Sequence, residues 1–295
     1  MNYTFKDGKL NLMIDKEINL ADLLEDLGIS RKNRYLLISE GKLFLNNEQL
    51  KNTDINMKRN DKLSFVIDPM EPDYKPDDKE CTVVWEDDLI YIVSKPAGII
   101  VHDEQNSLAN QAARYLLNHD IKAPVRYIHR LDKETYGLVM FCKIPLFQPY
   151  FDRRLEDRQI NRTYLAIAKG KGKAGTKFTF NEKIGSDRHV NNRFRVSKTG
   201  KEAITKAEIL DVKDDLLLFR CRLLSGRTHQ IRVHLSYHGF PIVNDEIYGV
   251  RSDKLTGMGL WAYKLDFIHP FTHRKITVRD IDNPDFAMFT ERQAL

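Results

Sequence analysis

His129-Arg130-Leu131-Asp132-Lys133-Glu134-Thr135-Tyr136-Gly137-Leu138 places one carboxylate among basic residues, followed by a Thr-x-Gly turn signal and the apolar run 137–143. The pattern predicts that Asp132 sits at the mouth of a strand with cations close by. A carboxylate in that setting suits covalent or acid–base chemistry. An ordinary surface ion pair looks the same, so the rest of the chain has to decide.

Working outward, strands are expected at 82–85, 89–93, 163–168, 177–184, 204–212 and 216–223, several bounded by Gly or Asp turns. Helical periodicity appears at 107–118, 145–155 and 228–237. Many strands, few helices and short connections indicate an α+β domain with a mixed, largely antiparallel sheet. Upstream, 68–80 (DPMEPDYKPDDKE) carries three prolines and six acids against two lysines. It reads as an extended acidic linker between a small domain, 1–67, and a main domain, 81–295. In the small domain two short helices are expected at 20–27 and 31–39, with Ser30 as N-cap and Gly41 as stop. Strands at 42–45 and 62–67 follow, the first ending in an Asn46-Asn47 turn. Arg31, Lys32 and Arg34 cluster where the second helix begins.

A hydrophobic content of 42% and a charged content of 30% describe a soluble globular chain, and no apolar stretch is long enough to span a bilayer. Cys81, Cys142 and Cys221 are odd in number and far apart, which argues for reduced thiols in the cytoplasm and against a disulfide framework or a zinc site. The formal net charge is +5, and the excess lies after the linker. A cationic main body favours a polyanionic partner such as nucleic acid.

Two constellations are set aside. Gly170-Lys-Gly172-Lys-Ala-Gly175 matches a dinucleotide-binding string but leads into an alternating strand pattern, so a hairpin tip is expected instead of a nucleotide-cofactor or methyl-donor site. His229, His234 and His238 are interleaved with Ile231, Val233 and Leu235, which predicts a packed helix with satisfied histidines and no metal. By contrast, Arg227, Thr228 and Gln230 crowd the expected start of that helix after a Ser225-Gly226 turn. That end favours an anion, either a phosphate or a carboxylate from elsewhere in the chain. Tyr164, in Arg162-Thr163-Tyr164, lies in a strand, where a tyrosine is usually packing.

Taken in order, the segments resemble the RNA pseudouridine synthases of the RluA/RluD type across nearly all of 81–295. Ser94-Lys95-Pro96-Ala97-Gly98 resembles the early Lys-Pro-x-Gly element, and 129–138 the HRLDxxTSGL motif. Arg162-Thr163-Tyr164 resembles the tyrosine element, and Gly200-Lys201-Glu-Ala203-Ile-Thr205 the mid-domain strand. Leu224 to His234, with Gly239-Phe-Pro241-Ile-Val243-Asn-Asp245 and Tyr248-Gly249, resembles the closing GRTHQIRVH…GxPIxxDxxYG block. Residues 1–67 resemble the small S-four-like RNA-binding domain. Tyr136 in place of serine and Trp261 in place of a common histidine depart from the pattern, and Tyr136 is bulky enough to alter how RNA packs near Asp132.

The resemblance implies a pseudouridine synthase fold, conversion of uridine to pseudouridine in RNA, and neither cofactor nor metal. Asp132 is then the nucleophile or acid–base carboxylate, Arg227 its pairing cation, and Tyr164 the residue stacked on uracil that removes a proton late. Ile231 lines the base pocket. His129 and Arg130 contact the target strand, Arg130 filling the gap left by a flipped base. Lys95, Arg31, Lys32 and Arg34 join the RNA-contacting set. Large-subunit ribosomal RNA is the expected partner, with transfer RNA as the alternative target, and a cytoplasmic monomer the expected form. A glycoside hydrolase would need two opposed carboxylates, and only one is framed here. The remaining alternative is an inactive RNA-binding ribosome-assembly factor on the same scaffold.

Overall fold

The computed structural model describes residues 1–103, 105–281 and 283–289. It opens with a hairpin of Asn2–Lys6 (β1) and Lys9–Met13 (β2), which the sequence pattern does not announce. Leu10 and Leu12 do alternate inward, but a five-residue strand carries too few alternations to stand out. Ile18–Asn19 (β3), Leu20–Asp26 (α1) and Arg31–Ser39 (α2) come next. Ser30 Oγ accepts from the Asn33 amide at 3.2 Å and Gly41 turns the chain at φ +66, so α2 starts and stops where expected. Leu43–Leu45 (β4), Glu48–Gln49 (β5), Asn56–Met57 (β6) and Lys62–Val66 (β7) complete this part. Asn46 and Asn47 both have positive φ, as a two-residue hairpin loop requires. The five-stranded sheet runs β1-β2-β7-β4-β5.

Residues 68–80 hold no helix or strand, but they are strapped to the main body and do not swing free. Asp73 accepts from the Val125 amide at 3.0 Å and pairs with Arg126 at 2.5 Å, while Asn110 Nδ2 donates to Lys75 O at 2.6 Å. The small sheet also shares a continuous apolar core with the main body: Leu10, Leu12 and Phe65 join Phe147, Phe151 and Phe271. Gly28 (φ +77) is essential to that seam, because a Cβ there would lie 2.6 Å from the Tyr150 amide nitrogen.

The main sheet gathers Thr82–Glu86 (β8), Ile90–Lys95 (β9), Tyr136–Cys142 (β10) and Asn161–Lys169 (β11) with later strands. Leu108–Asn118 (α3) precedes β10, and a 3-10 turn, Pro145–Phe147, leads into Gln148–Glu156 (α4). Next come Lys177–Phe180 (β12), Ile184–Ser186 (β13) and Phe194–Val196 (β14). The last elements are Thr205–Lys213 (β15), Leu216–Leu223 (β16), Gln230–Tyr237 (α5), Leu260–Ile268 (β17) and Lys275–Arg279 (β18). The order is β12-β15-β16-β11-β17-β10-β9-β8, with β18 also on β17. Only the β10–β17 pair is parallel among these neighbours, so the α+β class with a mixed, largely antiparallel sheet holds.

Two strand expectations change. The run 177–184 breaks after Phe180, and Ile184 pairs with β14 in a separate small sheet. The central strand β17 was not anticipated: it is buried on both faces and shows no alternation to read. Gly137 (φ +114) explains the Thr-x-Gly signal, since a Cβ there would sit 2.4 Å from Ala262 O across the parallel pair. The two faces of the sheet hold different groups. Tyr164, Ala166 and Ala262 share a cluster with α3 and Ile231 of α5, while Leu165, Trp261 and Tyr263 pack with Phe286 and Phe289.

Candidate active site

On the α5 side of the sheet lies a cleft of about 1060 Å³ that contains Asp132, Tyr164, Ile231, Arg130 and Arg227. Asp132 stands on the loop between α3 and β10, its side chain 26% exposed. The loop is held from below by Lys95. That side chain is fully buried, and its Nζ donates to Pro96 O (2.8 Å), Ile99 O (2.9 Å) and Lys133 O (2.9 Å). The Gly98 amide reaches the same Lys133 carbonyl, and the Thr135 amide closes a turn onto Asp132 O. Lys95 was expected to touch RNA. Instead it ties the Lys-Pro-x-Gly element to the Asp132 loop, and its ammonium has nothing left to offer solvent. Burial pushes its pKa down to about 7.

The cation on Asp132 is Arg232, not Arg227. Arg232 Nη1 donates to Asp132 Oδ2 at 3.0 Å, while Nε and Nη2 fork onto Asp245 at 2.7 and 2.8 Å. Asp245 is wholly buried and also accepts the Ile247 and Tyr248 amides at 3.0 and 3.1 Å. Burial alone would raise the Asp245 pKa, but the bonds and charge of Arg232 and the two amides outweigh it and bring it below the usual range. Gly249 makes this tight turn feasible, because a Cβ would meet Ile242 O at 2.0 Å. Arg232 is thus clamped by Asp245 and presents its third nitrogen to Asp132. Arg227 points elsewhere, its Nε donating to Glu202 O at 2.9 Å.

The reason for the exchange is where the helix begins. The chain turns through a left-handed His229 (φ +56), and α5 starts only at Gln230, which puts Arg232 in its first turn. Part of the polar set before it is turned inward, while Thr228 and the Arg227 side chain stay exposed at the cleft. Gln230 Oε1 accepts from Ser225 Oγ and the Arg227 amide, and its Nε2 donates to Ile204 O and Thr205 Oγ1. His229 Nε2 is 3.8 Å from Asp132, and its Nδ1 is 2.9 Å from Tyr248 Oη. His234 is buried with both ring nitrogens engaged, on Thr205 Oγ1 and Glu182 O, as expected of a packed histidine.

Tyr164 and Ile231 line the cleft from β11 and α5, and both are buried. Arg130 is exposed at the rim, 3.1 Å from His102 Nε2, and His102 stacks on Tyr127 with ring centroids 4.5 Å apart. His129 departs from expectation: it is 6% exposed and cannot lie along a strand outside the cleft. Tyr136 is packed against the Trp261 cluster, away from the cleft face. It is also the register partner of Trp261, so the two departures from the family motif are neighbours. In the N-terminal unit Arg31 and Lys32 are exposed, but Arg34 is occupied by Ile29 O at 2.8 Å and Glu25 at 3.3 Å.

Burial, with the charge of Arg162, pushes the His129 pKa down from 6.5 to about 3. The imidazole is therefore neutral in the fold but takes up a proton when the chain unfolds below pH 6.5. Its contribution to stability is complete above pH 6.5 and is lost as pH falls towards 3, up to about 5 kcal/mol. Urea unfolding from pH 7 to 4 should show a shallower loss for His129→Leu than for the wild type. Parallel curves would contradict the burial of a neutral ring.

The site therefore offers a carboxylate on a rigid loop, a clamped guanidinium on its flank, and an aromatic ring with an apolar wall. It contains six cations against three acids among the described cleft residues. That arrangement fits a polyanion from which a single nucleotide is drawn inside. The comparisons agree. A family model for RNA pseudouridylate synthase matches residues 89–237. The chain is 35% identical over 246 residues to an uncharacterized RNA pseudouridine synthase, YhcT, of Bacillus subtilis, with 81% of each chain covered. It is 31% identical over 307 residues to the ribosomal large subunit pseudouridine synthase D of Vibrio parahaemolyticus, covering 98% of this chain and 93% of that one. Among solved structures, human RNA Pseudouridylate Synthase Domain Containing 1 shares the fold, with a TM-score of 0.59 and 22% identity over 71% of this chain and 86% of that one. With the matched segment spanning Asp132, Tyr164 and Arg232, the chain belongs to the RNA pseudouridylate synthase family.

Proposed function

We propose that this enzyme isomerises uridine in large-subunit ribosomal RNA, with Asp132 as the reacting carboxylate and no cofactor. The observation that carries the reading is the Asp132–Arg232–Asp245 chain. It fixes one exposed carboxylate oxygen in a cleft sized for a nucleotide, beside Tyr164 and Ile231. In this scheme Asp132 acts at the ribose or base, the carbon–nitrogen glycosidic bond breaks, and the uracil turns and rejoins through carbon. The exchange is redox-neutral and consumes no water. Ile231 and the Tyr164 ring sandwich the base. Burial raises the Tyr164 phenol, which favours stacking over the proton-accepting role that the family resemblance implied.

The target is inferred from the relatives that are named as ribosomal large-subunit enzymes, one of which is matched over almost the whole chain. Residues 1–67 are the S-four-like RNA-binding domain in this reading, and 68–80 is the connection to 81–295. Exposed Arg31 and Lys32 at the start of α2 would rest on phosphates and give affinity without sequence choice. Uridine-labelled transcripts of large-subunit ribosomal RNA and of transfer RNA, incubated with purified protein and digested to nucleosides, test both levels. Pseudouridine is expected in the ribosomal transcript. Pseudouridine in transfer RNA alone would overturn the target, and none in either, or in total cellular RNA, would overturn the activity and favour the inactive assembly factor.

A further inference from the structure

Beside Asp132 the cleft holds two polar groups that the isomerisation scheme leaves unused. His129 is buried with neither ring nitrogen in a full hydrogen bond, though the Arg130 backbone lies close enough to favour its charged form. Arg162 has its Nε buried without a partner. Its Nη atoms lie against Gly226, where a Cβ would come within 3.3 Å of both, so the glycine makes room for the guanidinium. Buried donors and acceptors without partners cost about 1–3 kcal/mol each, and a native fold keeps them where something else completes the bonds.

The neighbouring charges narrow down what that something is. Arg232 is committed to Asp245 and Asp132, while exposed Arg227 gives only its Nε to Glu202 O and exposed Arg130 only its Nη1 to His102. Of the three cleft acids, Asp132 takes Arg232, Asp103 takes His102 at 2.5 Å, and Glu156 is exposed at the end of α4. Arg162 lines the cleft as a planar fork that forms no ion pair among the described residues, next to a neutral ring with one N–H to donate. A guanidinium forms its strongest bonds, two at once, with a carboxylate or phosphate. RNA brings only the phosphate. Placement agrees, because Arg162 and Tyr164 are two residues apart on β11 and so share a face at about 7 Å spacing. That is a nucleotide's reach from base to backbone.

We propose that Arg162 and His129 form a phosphodiester-binding subsite for the target nucleotide, seating its backbone while Tyr164 holds its base. Arg162 supplies two parallel N–H donors and His129 a third, single donor. The subsite positions the nucleotide and reads no sequence.

This rests on the isomerisation reading but is tested without turnover. Binding of uridine 3′,5′-bisphosphate and of uridine to the full chain is measured by calorimetry or NMR titration, for wild type, Arg162→Gln, Arg162→Lys, His129→Leu and Arg227→Gln. The wild type should prefer the bisphosphate at least tenfold. Arg162→Gln should erase that preference while still binding uridine, Arg162→Lys should restore part of it, and His129→Leu should reduce it. Arg227→Gln should leave most of it in place. A wild type without the preference, or a preference that survives Arg162→Gln or disappears in Arg227→Gln, overturns the subsite. Failure of the isomerisation reading would appear separately, as transcripts without pseudouridine.

Discussion

Arg232→Met is expected to lower stability by about 3–5 kcal/mol and turnover by at least about 100-fold, and the two losses have different causes. The stability loss comes from Asp245. Its carboxylate is wholly buried, and without the two-pronged guanidinium it keeps only the amides of Ile247 and Tyr248. Breaking a buried pair by removing one member strands the other charge, which is far costlier than never having had the pair. The turnover loss comes from Asp132, which would lose the 3.0 Å bond that fixes one of its oxygens. A second change separates the causes. Arg232→Met with Asp245→Leu removes the stranded charge and should recover most of the stability, yet turnover should stay down because Asp132 remains unheld. Recovery of turnover in the double variant would show that Arg232 is structural only. Chemical denaturation and single-turnover rates at saturating RNA provide the two readouts.

The expected partner of Asp132 was Arg227, and the error is instructive. Both arginines lie in Gly226-Arg227-Thr228-His229-Gln230-Ile231-Arg232, and the choice between them depends on where the helix begins. Ser225-Gly226 looks like a turn leading straight into a helix, which would put Arg227 at its mouth. The chain instead passes through a left-handed histidine, a conformation that sequence patterns scarcely advertise, and the helix register moves by about half a turn. Asp245 was legible only as part of a resembling block, because the function of a buried carboxylate depends on a partner 13 residues away in sequence. Lys95 shows the reverse limit. Its position in a motif was evident, but whether a lysine faces RNA or three carbonyls beneath a loop is a matter of burial, which one sequence does not state.

What was legible is mostly local. Helix α2 came with its cap and stop, the Asn46-Asn47 turn with its strand, and the α+β class with its largely antiparallel sheet, because capping, turn chemistry and alternation act over a few residues. The central strand β17 escaped because burial on both faces removes the alternation that announces a strand. Tyr136 looked like a threat to the site, yet the period of two that was readable along β10 already puts it on the face opposite Val139 and Phe141. Its register partner, Trp261, is anchored by Asp280 at 3.1 Å, so the bulk is absorbed on the far side of the sheet.

The largest effect on chemistry is expected from Asp132→Asn. Asparagine keeps the size of the side chain and an oxygen that Arg232 Nη1 can still reach, so neither the loop nor the Arg232–Asp245 clamp has reason to move. What disappears is the carboxylate, the group the proposed scheme uses as nucleophile or base. Stability and RNA affinity should therefore stay close to wild type while the rate falls by at least about 1000-fold. The decisive measurement is the single-turnover rate of pseudouridine formation on the ribosomal transcript by Asp132→Asn, with its folding and RNA binding measured on the same preparation. The account predicts a folded protein that binds RNA and makes no detectable pseudouridine. A folded variant working at a tenth of the wild-type rate or faster would contradict it.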